Sequence, residues 1–303
     1  MSVDALRLSF DSNGLFVINV ALAFIMFGVA LDLSLRDFQQ LAKDPRAPMV
    51  GLFCQFLLLP ALAFPLAIAV APVPSMALGM ILVAACPGGN ISNVITQLAG
   101  GRVSVSVGMT AVSTLAAVVT TPLNLTFWGS MHPSTAALIR DVALDPLQVA
   151  VNVALLLAVP CAIGMLVAAR APKLAAWLRR PMRVLSLVFF GLVVVGAFAS
   201  NFDVFIVAIG TVALPVALLN ALALGIGWTA GGWAGLPTTE RRAVAIEVGI
   251  QNSGLGLVLI FNFFEGLGGM AIVAGWWGIW HIIAGLALAS FWAWQDRRME
   301  TTA

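Results

Sequence analysis

Long uninterrupted apolar runs dominate the chain, with short polar stretches between them. They fall near residues 15–35, 48–71, 76–98, 103–129, 146–169, 184–200, 204–234, 242–264 and 269–294. A helix needs about 20 apolar residues to cross the hydrocarbon core, and most runs reach or approach that length. A barrel strand would instead show ten-residue stretches of alternating polarity, and the runs here are continuous. Proline and glycine punctuate the links: Asp44-Pro45, Ala71-Pro72-Val73-Pro74, Gly100-Gly101, His132-Pro133 and Gly235-Leu236-Pro237. The pattern predicts an all-α membrane protein of nine transmembrane helices. The seventh run is long enough to include an interfacial turn.

Composition strengthens this picture. Of the 303 residues, 61% are hydrophobic and 9% charged, and mean hydropathy is +1.04. A soluble domain carries about 25% charged residues. A net charge of +2 gives no basis for nucleic-acid binding. Cys54, Cys86 and Cys161 are odd in number and lie in apolar runs. They read as buried small hydrophobes rather than a disulfide or metal framework. Residues 1–14 are mixed polar and lead straight into the first apolar run without a small-residue cleavage pattern, so that run is expected to remain as a helix. Of the 15 Lys and Arg, all but Arg7 and Arg140 fall on one side if nine spans alternate. Basic loops stay cytoplasmic, which places the chain in the cell membrane with its N-terminus outside and its C-terminus inside.

Two runs carry polar residues that a lipid-facing helix would avoid. The third contains Cys86-Pro87-Gly88-Gly89-Asn90-Ile91-Ser92-Asn93, and the eighth contains Glu247-Val248-Gly249-Ile250-Gln251-Asn252-Ser253-Gly254. Proline removes a backbone donor and the glycines loosen the chain, so the third span is expected to break mid-membrane. Pro-Gly-Gly alone also suits a packing kink, and Asn and Ser suit interhelical hydrogen bonds. Glu247 is the stronger signal. A central charge costs at least ~2.5–3.5 kcal/mol on insertion scales and marks an ion path or a functional partner, although a neutral carboxyl bonded to a neighbour remains an alternative. No basic residue lies inside a span to pair with it, which leaves a bound cation as the natural partner. Two opposed broken spans fit an inverted repeat with half-helix ends at mid-membrane, a symmetry resting on these two motifs.

At these residues the chain resembles the bile acid:sodium symporter family. The resemblance rests on Cys86 to Val94, on Ser104-Val105-Ser106-Val107 leading to Thr110, Ser113 and Thr114, on Glu247 to Leu255, and on Ile279-Trp280-His281. The first run matches the family's second helix through Ile25-Met26-Phe27-Gly28, which implies the nine-span form. The family implies two Na⁺ sites. One would use Ser92, Asn93, Ser106, Thr110 and Glu247; the other would use Gln55, Glu247, Gln251 and the backbone carbonyls of Val248 and Ile250. All are hard oxygen donors, as an alkali cation requires. It also implies a core of 48–129 and 204–294, a panel of 15–35 and 146–200, and substrate binding between them. Asn90, Asn252, Ser253 and His281 are the candidate substrate contacts. Ile282 stands where the family often has a polar amide, which leans toward small carboxylates rather than sterols. Trp276, Trp277 and Trp280 could line a cavity, but an interfacial belt is the stronger reading.

The expected function is Na⁺-coupled symport of an organic anion by alternating access. The alternative is a proton-coupled carrier or exporter with Glu247 as the proton site. An enzyme is not expected, because His132 and His281 belong to no nucleophile–base or metal pattern. The expected partners are Na⁺, the anion and the lipid bilayer, with no obligate protein partner.

Overall fold

In the computed structural model, residues 43–141, 146–199 and 202–302 are described, together with isolated positions between 20 and 31. The first expected span therefore lies largely outside the described residues. The rest is helical: α1 (Arg46–Val70), α2 (Pro74–Ala85), α3 (Ile91–Leu98), α4 (Val103–Ser130), α5 (Pro133–Asp141), α6 (Pro146–Arg170), α7 (Pro172–Ala199), α8 (Phe202–Trp233), α9 (Thr238–Gly249), α10 (Ser253–Phe263) and α11 (Gly268–Thr302). Among the described residues, Arg46–Val70, Val103–Ser130, Gly210–Trp233 and Gly268–Met299 are long and apolar enough to cross a membrane, and Pro74–Ala85, Ala158–Arg170 and Ser253–Phe263 are shorter apolar helices.

Both polar runs are broken as the sequence predicts. The third divides into α2 and α3, and the eighth into α9 and α10. The first break follows from steric exclusion: a residue before proline is pushed out of the α region, and Cys86 stands at φ −71°, ψ 156°. At the second break no proline intervenes; α9 runs to Gly249, and Ile250 is extended at φ −112°, ψ 95°.

The broken helices lie at the centre. Every residue of α2 from Ser75 to Ala85 is buried, as is α9 from Arg242 to Gly249. Helices α1, α4, α8 and α11 pack around them. The outer faces of α1, α4 and α8 present Leu57, Leu62, Val119, Leu123, Phe127 and Leu214, as lipid-facing helices must. Backbones come close where residues are small: a Cβ on Gly227 of α8 would fall 2.7 Å from Ala245 Cα of α9, the close approach that glycine permits between membrane helices. Helix α6 packs on α4 and α7. Its Cys161 thiol faces the Met26 carbonyl at 3.8 Å, and Arg179 Nε of α7 donates to the Leu31 carbonyl at 2.9 Å.

Two links between the expected runs are themselves helical, and one expectation changes. Pro172 starts α7 directly, and the helix carries Lys173 to Arg183 within it. The 133–141 link is a short helix, again opened by proline, since a fixed φ suits the first helical position. Trp277 is fully buried and so does not belong to an interfacial belt, while Trp276 and Trp280 are partly buried and stack on each other at 6.5 Å.

One end of the molecule gathers the basic loops. Arg102 Nη1 pairs with Asp44 at 2.7 Å and Glu240 at 2.6 Å. Arg46 donates to the Ala234 carbonyl. Arg242, 5% exposed, makes a two-pronged pair with Asp296 at 2.5 and 2.7 Å and also donates to the Ala99 carbonyl at 2.9 Å. These contacts tie the start of α9 to the end of α3 and to α11.

Candidate functional site

The two unwound segments meet and pair with each other. Gly88 and Gln251 form an antiparallel bridge. Gly89 N–H donates to the Ile250 carbonyl at 2.8 Å, and Asn252 N–H to the Pro87 carbonyl at 2.8 Å. Breaking a helix in a membrane strands backbone groups that cost several kcal/mol each; each break supplies part of what the other lacks. Side chains supply more. Thr121 Oγ1 of α4 donates to the Ala85 carbonyl at 2.8 Å, and Asn220 Nδ2 of α8 donates to the Gly249 carbonyl at 2.8 Å. Each serves the last residue before a break. Sequence reasoning missed both residues, whose one signal was a polar side chain in an apolar run.

Glu247 sits beside this crossing, 1% exposed. Its Oε2 accepts from Ser92 Oγ at 2.5 Å and Ser106 Oγ at 2.7 Å, and its Oε1 accepts from Thr110 Oγ1 at 2.6 Å. Asn93 Oδ1 lies 3.4 Å from the Thr110 hydroxyl. The carboxylate from α9 is therefore ringed by hydroxyls from α3 and α4, and the five residues expected at the first cation position converge. Gly88 makes the approach possible, since a Cβ there would fall 2.2 Å from Glu247 Oε1.

Of the second expected group, Gln55, Gln251 and the Val248 carbonyl come together, while the Ile250 carbonyl accepts from Gly89 N–H. Gln55 Nε2 of α1 donates to the Cys86 carbonyl at 2.9 Å and to Gln251 Oε1 at 2.5 Å. Gln251 Nε2 donates to the Val248 carbonyl at 2.6 Å. Both amides are 1% exposed, yet Gln55 Oε1 has no hydrogen-bond partner among the described residues. A buried acceptor without a donor is costly, so this oxygen is open to a partner that the described residues do not supply. Among the described residues no cluster of His, Cys, Asp and Glu could hold a metal; the oxygens here come from hydroxyls, amides, carbonyls and one carboxylate, a set suited to a hard monovalent ion.

The expected substrate contacts divide. Asn90 is exposed immediately before α3, and Asn252 caps α10 by accepting Leu255 N–H at 3.0 Å. Ser253 is buried beside it. His281 lies on α11, 3% exposed, with the Trp277 ring edge-on at 6.0 Å, and its Nδ1 has no hydrogen-bond partner among the described residues.

Residues 19–208 match the Sodium Bile acid symporter family. The chain is 31% identical over 285 residues to the sodium-dependent transporter YocS of Bacillus subtilis (strain 168), itself uncharacterized, covering 93% of this chain and 85% of that one. It is 30% identical to the probable sodium/metabolite cotransporter BASS2, chloroplastic, of Oryza sativa subsp. japonica, over 90% of this chain and 63% of the relative. The ileal sodium/bile acid cotransporter of Homo sapiens is 29% identical over 79% of this chain and 67% of that protein. The family match ends before α9, but the longer alignments extend over most of the chain. The chain belongs to the sodium bile acid symporter family.

Proposed function

We propose that this protein is a secondary transporter that moves an organic anion, of the small carboxylate class, together with two Na⁺ ions by alternating access. The reading is carried by Glu247, a buried carboxylate held by three hydroxyls at a crossing of two broken helices. One ion sits among Ser92, Asn93, Ser106, Thr110 and Glu247. The other sits among Gln55, Glu247, Gln251 and the carbonyls of Val248 and Ile250, where the unpartnered Gln55 Oε1 supplies an open oxygen. Nine spans in an inverted repeat, a core of 48–129 and 204–294 and a panel of 15–35 and 146–200 complete the reading. The anion binds between core and panel at Asn90, Asn252 and Ser253, with His281 behind them. Sodium-dependent relatives support the coupling, and half-helix N-termini favour an anionic group.

The test is a thermal-shift screen of purified protein against small carboxylates, with Na⁺ or with N-methylglucamine. A transported anion stabilises more when Na⁺ is present, by linkage. If Na⁺ gives no stabilisation, or Glu247→Ala leaves the Na⁺ response intact, the sodium assignment fails. Uptake that follows pH and ignores Na⁺ would assign Glu247 to a proton instead.

A further inference from the structure

Helix α1 carries a defect whose cause and consequence can both be traced. Pro60 has no N–H, so the Phe56 carbonyl four residues earlier loses its α-helical donor, and the proline ring crowds that carbonyl. The helix responds just upstream by widening into a π-turn over Cys54–Leu58, closed by Leu59 N–H donating to the Cys54 carbonyl. Extra residues of this kind recur at functional sites because they re-aim side chains. Gln55 lies inside this turn, and its amide is turned toward Cys86 and Gln251 at the crossing.

The stranded carbonyl is met from another helix. Asn124 Nδ2 of α4 donates to the Phe56 carbonyl at 3.2 Å and to the Thr120 carbonyl at 3.0 Å. Its orientation is fixed because its Oδ1 accepts from Trp128 Nε1 at 3.1 Å, and the Trp128 ring packs on Phe64 of α1 at 5.7 Å. Asn124 and Trp128 thus grip α1 on both sides of Pro60.

We propose that Asn124 is a positioning residue for sodium binding: by bonding the carbonyl that Pro60 strands, it holds the π-turn that points Gln55 into the site. This rests on the reading of Gln55 as a sodium ligand. Asn124 touches no ion itself and acts through Phe56 and the turn.

The test titrates Na⁺ against N-methylglucamine at constant chloride, using the purified full-length protein and reading the Na⁺ concentration that gives half-maximal thermal stabilisation. Asn124→Ala raises that concentration about five- to tenfold, the equivalent of one lost hydrogen bond. Thr120→Val, which loses a bond only to its own helix at Ala116, leaves it unchanged. Pro60→Ala restores a backbone donor for Phe56, so adding Asn124→Ala to it produces no further rise. A lowered melting temperature in Asn124→Ala with an unchanged Na⁺ midpoint overturns the inference, as does a full additional rise in the double variant. If Asn124→Ala does not fold, Trp128→Phe frees the amide to rotate and raises the midpoint about twofold; no rise overturns it equally. Gln55→Ala separates the two levels. A raised midpoint in Gln55→Ala beside an unchanged one in Asn124→Ala defeats this inference alone, whereas no change in either defeats the sodium-ligand reading beneath it.

Discussion

Glu247 draws together residues far apart in the chain, and its surroundings explain why each neighbour is small or hydroxyl-bearing. Ser92, Ser106 and Thr110 each spend their one donor on it, and Gly88 leaves the volume its carboxylate fills. Gly88→Ala therefore forces the carboxylate off its present position. Overpacking of this kind costs about 1–3 kcal/mol, and the expected result is a folded protein whose half-stabilising Na⁺ concentration rises roughly 5- to 150-fold. A Na⁺ titration identical to that of the unsubstituted protein would show that the carboxylate has room to move. Glu247 was legible in the sequence because an ionisable side chain is too costly inside an apolar span to persist there without a partner. The partnership of Gln55 with Gln251, 196 positions apart, was legible through family resemblance alone, since no local pattern marks an amide in one apolar run as the neighbour of another.

At the scale of elements, the two breaks are stable because their stranded carbonyls are individually met. Thr121 and Asn220 perform this service for Ala85 and Gly249. Thr121→Val keeps the shape and removes the donor, leaving a buried carbonyl unsatisfied at about 1–3 kcal/mol. A melting temperature several degrees lower is expected, with Thr121→Ser restoring most of it; equal stability of the Val variant would mean that water or another donor serves Ala85. The break at Pro87 could be read from sequence because proline constrains its predecessor whatever surrounds it. The π-turn in α1 could not, because Pro60 and Pro65 lie in similar apolar surroundings and only the first stands beside a widened turn. Trp277 was misplaced for a related reason: hydropathy says that a tryptophan avoids water but not whether protein or lipid covers it.

Across the whole molecule, the loop cluster and the crossing act on the same two broken helices. Arg242 lies five positions before Glu247, and its guanidinium joins the start of α9 to Ala99 at the end of α3 and to Asp296 of α11. Arg242→Ala removes both links and leaves a carbonyl and a carboxylate unmet, whereas Asp296→Asn keeps the bond to Ala99. Arg242→Ala is expected to melt lower than Asp296→Asn; equal melting temperatures would place the strength of the joint in the ion pair alone, and the reverse order would show that leaving the buried guanidinium unpaired costs more than removing it. Charge conservation links the crossing to transport. On the proposed stoichiometry, with Glu247 fixed in the protein, two Na⁺ and one monoanion moving together would carry one net positive charge across the membrane. At 100 mV each such charge is worth about 2.3 kcal/mol, enough to raise accumulation of the anion some fiftyfold. Proteoliposomes loaded with K⁺ and treated with valinomycin should therefore take up substrate faster when the interior is made negative. Uptake that depends on Na⁺ but is indifferent to the imposed potential would rule out two Na⁺ per monoanion, leaving one Na⁺ per monoanion or two per dianion.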